Sequence, residues 1–320
     1  MITYLPPLNR AWKRMRWILF SPFDAGKWLA LGFTAWLASL ADHGSGGGSA
    51  GSRVSRDMDD WDWEEVTTEG VDRVREFLES GLELAIVLFL VLMGLLIALL
   101  VIWVSSRGSF MFLDNVVHNR SRIRDPWSRY SRLGDSLFLW RIMFVLATIL
   151  IVGSLVLTGV FMALPLFGEG VIQGIGIVGL VSVVFLGMVL GFVAAFISLL
   201  VDHFIVPLMY KHDLTVLAAW RKFLPLLKQD LPSFFLYGCF YLVLYIGVAV
   251  VVFVLALATC CVGLLVISIP YLGTLLLLPL YVTARGLGLE FLAQFGPEYS
   301  VPDMFPEKSS PDKTPGEPAS

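Results

Sequence analysis

The sequence predicts an all-α membrane protein with six transmembrane helices, arranged as three hairpin repeats with juxtamembrane amphipathic helices. The first observation is residues 84–104, LAIVLFLVLMGLLIALLVIWV, which contain no charged, amide or hydroxyl side chain. A helix of that length spans roughly 30 Å, the thickness of the hydrocarbon core of a bilayer. The second is the composition, 57% hydrophobic and only 15% charged, against about 25% charged residues in soluble domains. The third is that basic segments alternate along the chain with segments that are acidic or almost uncharged.

The first 41 residues begin with a basic, aromatic segment and continue into the first predicted span. Lys and Arg alternate with Trp and Phe over residues 1–27, which is typical of a segment that lies among lipid headgroups. Residues 28–41 are apolar and form the span. Ser39-Leu40-Ala41 also fits the cleavage site of a signal peptide covering residues 1–41. A basic region that long, with Pro22 inside it, is unusual for a signal peptide, so we favour an uncleaved span.

An acidic extracytoplasmic loop follows, over residues 42–81. It holds six Asp, five Glu and four Arg, a balance of −7, and includes the Gly/Ser linker GSGGGSAGS. Asp residues alternate from Asp57 onwards, as they do in calcium-binding loops. An EF-hand loop, however, needs Gly at its sixth position and Glu at its twelfth, where this chain has Asp62 and Thr68. We therefore favour a solvated acidic loop.

The remaining apolar runs complete the predicted domain organisation. Residues 84–104, 137–166, 171–201 and 233–258 form spans two to five, and a sixth ends near Thr283. Residues 1–295 then form the six-span membrane domain. Residues 296–320 hold six prolines among polar residues, a composition that predicts a disordered cytoplasmic tail.

Loop charges predict the orientation and the location. The N-terminal segment, residues 105–136 (six Arg and three Asp, +3) and residues 211–230 carry nearly all Lys and Arg. The positive-inside rule places these segments, and hence both termini, in the cytoplasm. The expected location is the cytoplasmic (inner) membrane of a prokaryote, in a multi-pass arrangement.

Each odd-numbered span is entered in the same way, which is the basis of the predicted threefold repeat. Trp12 precedes Asp24, Trp127 precedes Asp135, and Trp220 precedes Asp230. The three Asp residues could form a ring of acids with a function. We favour helix caps, because a carboxylate at a helix start accepts hydrogen bonds from backbone N–H groups that have no partner within the helix.

With this repeat, the stretch FSPFDAGKWLALG at residues 20–32 resembles a family of uncharacterised prokaryotic polytopic membrane proteins. That family is in turn distantly similar to the membrane domain of glycerophosphodiester phosphodiesterases. The resemblance covers about residues 5–295 and implies a helical membrane module without known catalytic residues. No His in the chain is followed directly by Arg, so the catalytic His-Arg pair of those phosphodiesterases has no counterpart and their activity is not expected.

The interiors of the predicted spans contain no Asp, Glu, Lys, Arg or His. Ionisable residues within membranes mark ion paths and proton relays, so their absence argues against an ion-coupled carrier. The sequence has no GxxxxGK[ST], GxSxG or HExxH motif, and its four His are scattered. We therefore expect no catalytic, cofactor-binding or metal-binding residues, no enzymatic activity, no cofactor and no nucleic-acid partner.

Ionisable residues gather instead near the predicted inner ends of the spans. They form a polar pocket for lipid headgroups, with Arg141 as an anion contact, or they are ordinary paired and snorkelling residues at helix ends; we favour the second interpretation. Ser198, Asp202 and His203 could also suggest a hydrolytic triad, for which no nucleophile turn is present. The candidate rim cluster comprises Arg107, Asp114, Arg141, Asp202, His203, Arg285 and Glu290.

Two further patterns concern helix packing. Gly187, Gly191 and Ala195 recur every four residues and predict a close helix contact, within the bundle or, less favoured, in a homo-oligomer. Pro270 and Pro279 predict a kinked sixth span; a broken transporter helix that exposes carbonyl groups is the alternative.

These observations favour a non-catalytic accessory or scaffold module of the membrane. Its expected partners are membrane lipids and another membrane protein. The alternative is a transporter or lipid-handling protein for a neutral or lipid-like substrate. A cavity within the bundle would favour the alternative, and a solid bundle would favour the scaffold.

Overall fold

The computed structural model describes residues 2–21, 23–45, 81–121, 124–163, 171–259, 263, 267 and 269–301. These residues are helical and include no strand. The predicted acidic loop lies outside the described residues from 46 to 80, as does the predicted tail from 302 onwards. The helices, in chain order, are α1 (Leu5–Phe20), α2 (Ala25–Ser45), α3 (Gly81–His118), α4 (Arg124–Arg129), α5 (Ser131–Ala163), α6 (Val171–Leu200), α7 (Val206–His212), α8 (Val216–Gln229), α9 (Leu231–Ala258), α10 (Pro270–Leu276) and α11 (Leu278–Leu292).

Four segments are long and apolar enough to cross a membrane. They are Leu84–His118, Ser131–Ala163, Gly176–His212 and Leu231–Ala258, and they cover all or most of each of the second to fifth predicted spans. The first predicted span lies in α2, and the sixth is divided between residues outside the described part and the helices α10 and α11. The described helices therefore give four candidate spans rather than six.

Two helices run further than the sequence predicted. α3 continues to His118, so residues 105–118 are helical and not part of a loop. α6 continues through a π-helical turn, Val201–Ile205, into α7, which ends at His212. In both extensions, the polar residues that follow the span lie in a packed helix and not in a solvated loop.

A short helix precedes a long one three times along the chain. α1 precedes α2, α4 precedes α5, and α8 precedes α9. Each short helix packs beside the end of another long helix: α1 on α11, α4 on α3, and α8 on the π-helical turn and α7. Because α1 contacts the last long helix, the packing joins the two ends of the described chain.

The helices pack tightly at one end only, which we call the packed end. Its centre is a cluster of fully buried aromatic rings from the π-helical turn, α8, α9 and α11. Phe204 lies 5.2 Å from Phe234 and 5.6 Å from Phe223 between ring centroids. A second cluster, around Met15 and Leu278, joins α1, α2 and α11.

Away from the packed end, the long helices present large apolar side chains outwards. Leu88 is 66% exposed, Leu150 74% and Phe253 61%. Helices α2 and α3 pair closely, as do α5 and α6. Phe234 and Tyr237 of α9 contact Phe291 of α11 at the packed end. Among the described residues, the rest of α9 makes almost no close backbone approach to α10 or α11, so the third predicted hairpin is not closely packed.

The helices approach each other closely at small residues that differ from those predicted from the sequence. A Cβ atom on Gly108 would lie 2.8 Å from the backbone nitrogen of Ala38, so α3 and α2 touch there. At Gly187 and Gly191, in contrast, a Cβ atom would meet no described atom within 4 Å. The described helices therefore do not pack on α6 at Gly187 and Gly191, and α6 contacts α5 through other residues, such as Gly179 against Met162.

The helical region that contains Pro270 and Pro279 is divided into two helices. Pro270 and Pro279 lie in the first turns of α10 and α11, and the two helices are separated at Leu277. Pro279 has no N–H to donate to the carbonyl of Leu275, four residues earlier. The indole Nε1 of Trp28 donates to that carbonyl at 3.3 Å. The carbonyl is thus satisfied within the protein rather than exposed as an ion ligand.

Candidate functional site

A small polar cavity of about 140 Å³ lies where α2, α3, α5, α9, α11 and the π-helical turn meet. Four of the seven predicted rim residues line it, and these are Arg141, Asp202, His203 and Arg285. The remaining lining residues are small or aromatic: Ala35, Ala38, Ser39, Ser109, Phe112, Tyr241, Tyr281 and Ala284.

Arg141 and Arg285 both donate hydrogen bonds to Asp202 in this cavity, one to its carboxylate and the other to its backbone oxygen. Arg141 Nη2 donates to Asp202 Oδ1 at 3.1 Å, and its Nη1 donates to Ser105 Oγ at 3.1 Å. Arg285 Nη1 donates to the backbone oxygen of Asp202 at 2.6 Å. The cavity lining therefore carries two formal positive charges and one negative charge.

The π-helical turn positions Asp202 and His203. Pro207 has no N–H to donate to the carbonyl of His203, which disrupts the α-helical register at this point. The N–H of Val206 instead bonds to the carbonyl of Val201, five residues earlier. Single turns of π-helix inside α-helices are frequent at functional sites.

Gly288 allows α11 to approach this turn. A Cβ atom at Gly288 would lie 2.7 Å from the backbone oxygen of His203, which is closer than carbon and oxygen can pack. Only glycine therefore permits this contact without displacement. Arg285, one turn earlier on α11, consequently reaches Asp202.

His203 is held by aromatic neighbours and not by Asp202. Its Nδ1 lies 2.7 Å from the hydroxyl of Tyr237, and its ring lies edge to face with Tyr241 at 4.6 Å. The Asp202 carboxylate pairs with Arg141. The described contacts therefore do not assemble Ser198, Asp202 and His203 as a triad.

A much larger apolar cavity, of about 950 Å³, adjoins the polar one. It lies between α1, α9 and α11, beyond the aromatic contacts that join α9 to α11 at the packed end. Leu244 and Val248 of α9, Leu8 of α1 and Leu280 of α11 are among its lining residues. Three residues line both cavities, and these are Tyr241, Tyr281 and Ala284.

The other three rim residues do not line the polar cavity and have partners elsewhere. Arg107 pairs with Asp135 at 2.9 Å and stacks over Trp103 at 4.3 Å.

The last two rim residues are acidic and largely buried at separate places. Asp114 accepts hydrogen bonds from Tyr130 at 2.9 Å and from Tyr210 at 2.7 Å. Glu290 pairs with Arg10 of α1 at 2.9 Å.

The three predicted helix caps have different surroundings. Asp24 Oδ1 accepts from the N–H of Gly26 at 2.8 Å, at the start of α2. Asp230 is the residue before α9, but its carboxylate accepts from Ser233 Oγ at 2.8 Å and not from a backbone N–H. Asp135 is the fifth residue of α5 and does not cap it, because α5 already begins at Ser131.

A basic residue on α1 has a role that the sequence did not reveal. Arg14 is 2% exposed, and its Nη2 donates to the carbonyl oxygens of Val116 and Val117 at 3.0 and 2.9 Å. These carbonyls belong to the last turn of α3, where they have no partner within the helix. Burial lowers the pKa of the Arg14 guanidinium to about 10, against the opposing effect of Glu290, so it stays charged at neutral pH.

Sequence reasoning missed the apolar cavity and the tyrosines that border it. Tyr241 and Tyr281 looked like ordinary apolar residues of spans five and six. The signals that could have indicated the site were Pro207 and Gly288, which permit the π-helical turn and the close approach of α11. Within the described ranges, no group of three or more His, Cys, Asp and Glu side chains could hold a metal ion.

The exposed apolar helices and the buried polar residues define a helical membrane protein. The chain belongs to DUF7544, a family of unknown function whose model matches residues 5–296. No curated protein and no solved structure is significantly similar to the chain. The family match agrees with the predicted resemblance to an uncharacterised membrane family, and no link to glycerophosphodiester phosphodiesterases is shown.

Proposed function

We propose that this protein is a non-catalytic, lipid-handling protein of the cytoplasmic membrane that accommodates a lipid-like ligand between α1, α9 and α11. The observation that carries this proposal is the apolar cavity of about 950 Å³. Small-molecule sites are typically about 300–1,000 Å³ and mostly apolar, with a few polar groups. A cavity of this kind favours the lipid-handling alternative over a solid scaffold.

The position of the cavity supports a ligand rather than bulk lipid alone. One wall is α1, whose Leu5, Leu8 and Trp12 line the cavity, while its Arg14 is buried against α3. An amphipathic helix fixed in this way partly covers the space between α9 and α11. A molecule in that space would contact protein on three sides.

Six spans in three hairpins, with both termini in the cytoplasm, form part of the proposal. The three short helices before long ones and the distribution of basic residues support it. Single cysteines replacing Ser45 and Ser310, in a background without cysteine, are expected to react from opposite sides of the membrane. Labelling of both from the same side would contradict the six-span topology.

The ligand proposal is tested by narrowing the cavity. Val248→Trp places a large side chain in the cavity, whereas Val251→Trp changes a residue of the same helix that is 58% exposed and outside the cavity lining. We expect lipid to co-purify with the wild-type protein and with Val251→Trp and to be depleted in Val248→Trp, as measured by mass spectrometry of the protein extracted from membranes. Equal lipid content in both variants would contradict the proposal.

An accessory role, through contact with another membrane protein or a second copy of the chain, is the second candidate function. The observation in its favour is the face of α6 at Gly187 and Gly191, which no described residue covers. Ala195, one turn further, is also exposed. A cysteine at residue 191 that cross-links to a partner chain in membranes would support this role, and absence of cross-linking along the whole face would argue against it.

A further inference from the structure

The polar cavity beside the apolar one indicates what kind of ligand the protein takes. Resting on the proposed function, we propose that the ligand is a long-chain fatty acid. Its carboxylate would lie in the polar cavity with Arg141 and Arg285, and its chain would lie in the apolar cavity beyond Tyr241 and Tyr281.

The charge of the polar cavity matches a single negative charge. Its lining contains Arg141, Arg285 and Asp202, a formal balance of +1 with His counted as neutral. A net positive charge in surroundings of low dielectric constant attracts an anion, so a monoanion would be stabilised there. A dianion would leave one excess negative charge in the same place.

The size of the polar cavity limits the polar end of the ligand. At about 140 Å³ it has room for a small oxyanion, whereas a glycerophospholipid carries further groups on both sides of its phosphate. The apolar cavity is nearly seven times larger, at about 950 Å³. A small charged end joined to a long apolar chain matches this difference.

The two cavities adjoin, because Tyr241, Tyr281 and Ala284 line both of them. A ligand that occupies both would pass between these three side chains. The tyrosine side chains suit the boundary, since each combines an apolar ring with a polar hydroxyl.

The guanidinium groups are already held in place. Arg141 is fixed by Asp202 and Ser105, and Arg285 by the backbone of Asp202. Arginine binds carboxylates with two parallel hydrogen bonds when its geometry allows. Groups that are ordered before binding lose less conformational entropy when the ligand arrives.

Binding of palmitate and of its methyl ester to the wild-type protein in nanodiscs tests the inference without any substitution. The two molecules share the chain and differ in the charge of the polar end. We expect palmitate to bind at least about tenfold more tightly, because hydrogen bonds to charged groups contribute about 1.5–3 kcal/mol. Equal affinity would overturn the fatty-acid assignment but leave the lipid-handling proposal intact.

Two variants locate the carboxylate. Arg285→Gln is expected to weaken palmitate binding about tenfold and to leave the methyl ester unaffected. Arg132→Gln is the control, because Arg132 pairs with Asp213 on the surface, and it should bind palmitate like the wild type. If Arg285→Gln binds palmitate normally, the carboxylate does not lie in the polar cavity and the inference is wrong.

Hexadecyl phosphate distinguishes the carboxylate from a phosphate group. We expect it to bind more weakly than palmitate, because of its second charge and larger size. Tighter binding of hexadecyl phosphate would overturn the assignment in favour of a phosphorylated chain. Failure of all three amphiphiles to bind, together with equal lipid content in Val248→Trp and Val251→Trp, would contradict the proposed function itself.

Discussion

Polar side chains are buried at the packed end, whereas large apolar side chains are exposed along the rest of the long helices, which we call their outer lengths. At the packed end Arg14 is 2% exposed and Glu290 6%, while along the outer length of α3 Leu88 is 66% exposed. A soluble protein has the reverse arrangement. The difference shows that lipid can surround the outer lengths, which need only be apolar, whereas the packed end depends on specific polar contacts. Substitutions at the two regions should therefore have very different effects.

The largest expected effect is the loss of the Arg14 side chain. Arg14→Met removes the charged donor from two carbonyl groups at the end of α3, and we expect the free energy of unfolding to fall by about 3 kcal/mol. Thermal or denaturant unfolding in a single detergent measures this change. Arg16→Met, on the exposed side of the same helix, is the matched control and should be nearly silent. Equal destabilisation by both would mean that α1 is not anchored through Arg14.

A smaller difference is expected between two glycines. Gly288→Val forces α11 away from the backbone of His203 and should cost about 1–3 kcal/mol through overpacking. Gly187→Val, where a side chain meets open space in the described fold, should leave the unfolding transition of the isolated protein unchanged. Destabilisation by Gly187→Val would indicate that this face of α6 is covered after all.

The smallest effects concern two aspartates near the starts of long helices, Asp24 and Asp135. Asp24→Ala should destabilise the protein by about 1 kcal/mol, because the cap on α2 is lost, while Asp24→Asn retains an acceptor and should be nearly silent. At Asp135 the Asn variant loses its ion pair with Arg107, so Asn and Ala should cost similar small amounts, below about 1 kcal/mol for an exposed pair. Identical behaviour of the two sites would contradict the distinction between a cap and an ion pair.

The parts of this arrangement that follow from local physical rules could be predicted from the sequence. Uninterrupted apolar runs, such as residues 84–104, require a lipid environment wherever they fold. The four rim residues of the polar cavity were among seven that could be nominated, because ionisable residues are absent from the span interiors and gather near the span ends. The segments before α2, α5 and α9 were likewise visible as a repeated pattern of Trp and Asp.

The rest depends on contacts between distant parts of the chain. Glu290 pairs with Arg10, and Arg14 bonds to Val116 and Val117; no local pattern links these positions. The Asp135 cap was wrong because helix hydrogen bonding already begins at Tyr130, whose carbonyl accepts from Gly134. The apolar cavity lies where α9 and α11 separate beyond the packed end, and periodicity within either helix cannot reveal a gap between them.

The most direct test of the central claim is a cryo-EM map of the protein in nanodiscs formed from a native lipid extract. We expect one elongated density that begins between Arg141 and Arg285 and continues past Tyr241 into the space between α1, α9 and α11. That density should be better ordered than the lipid around the outer lengths of α3 and α5. A map in which α9 packs along α11 and closes the cavity would show that the proposed ligand site does not exist.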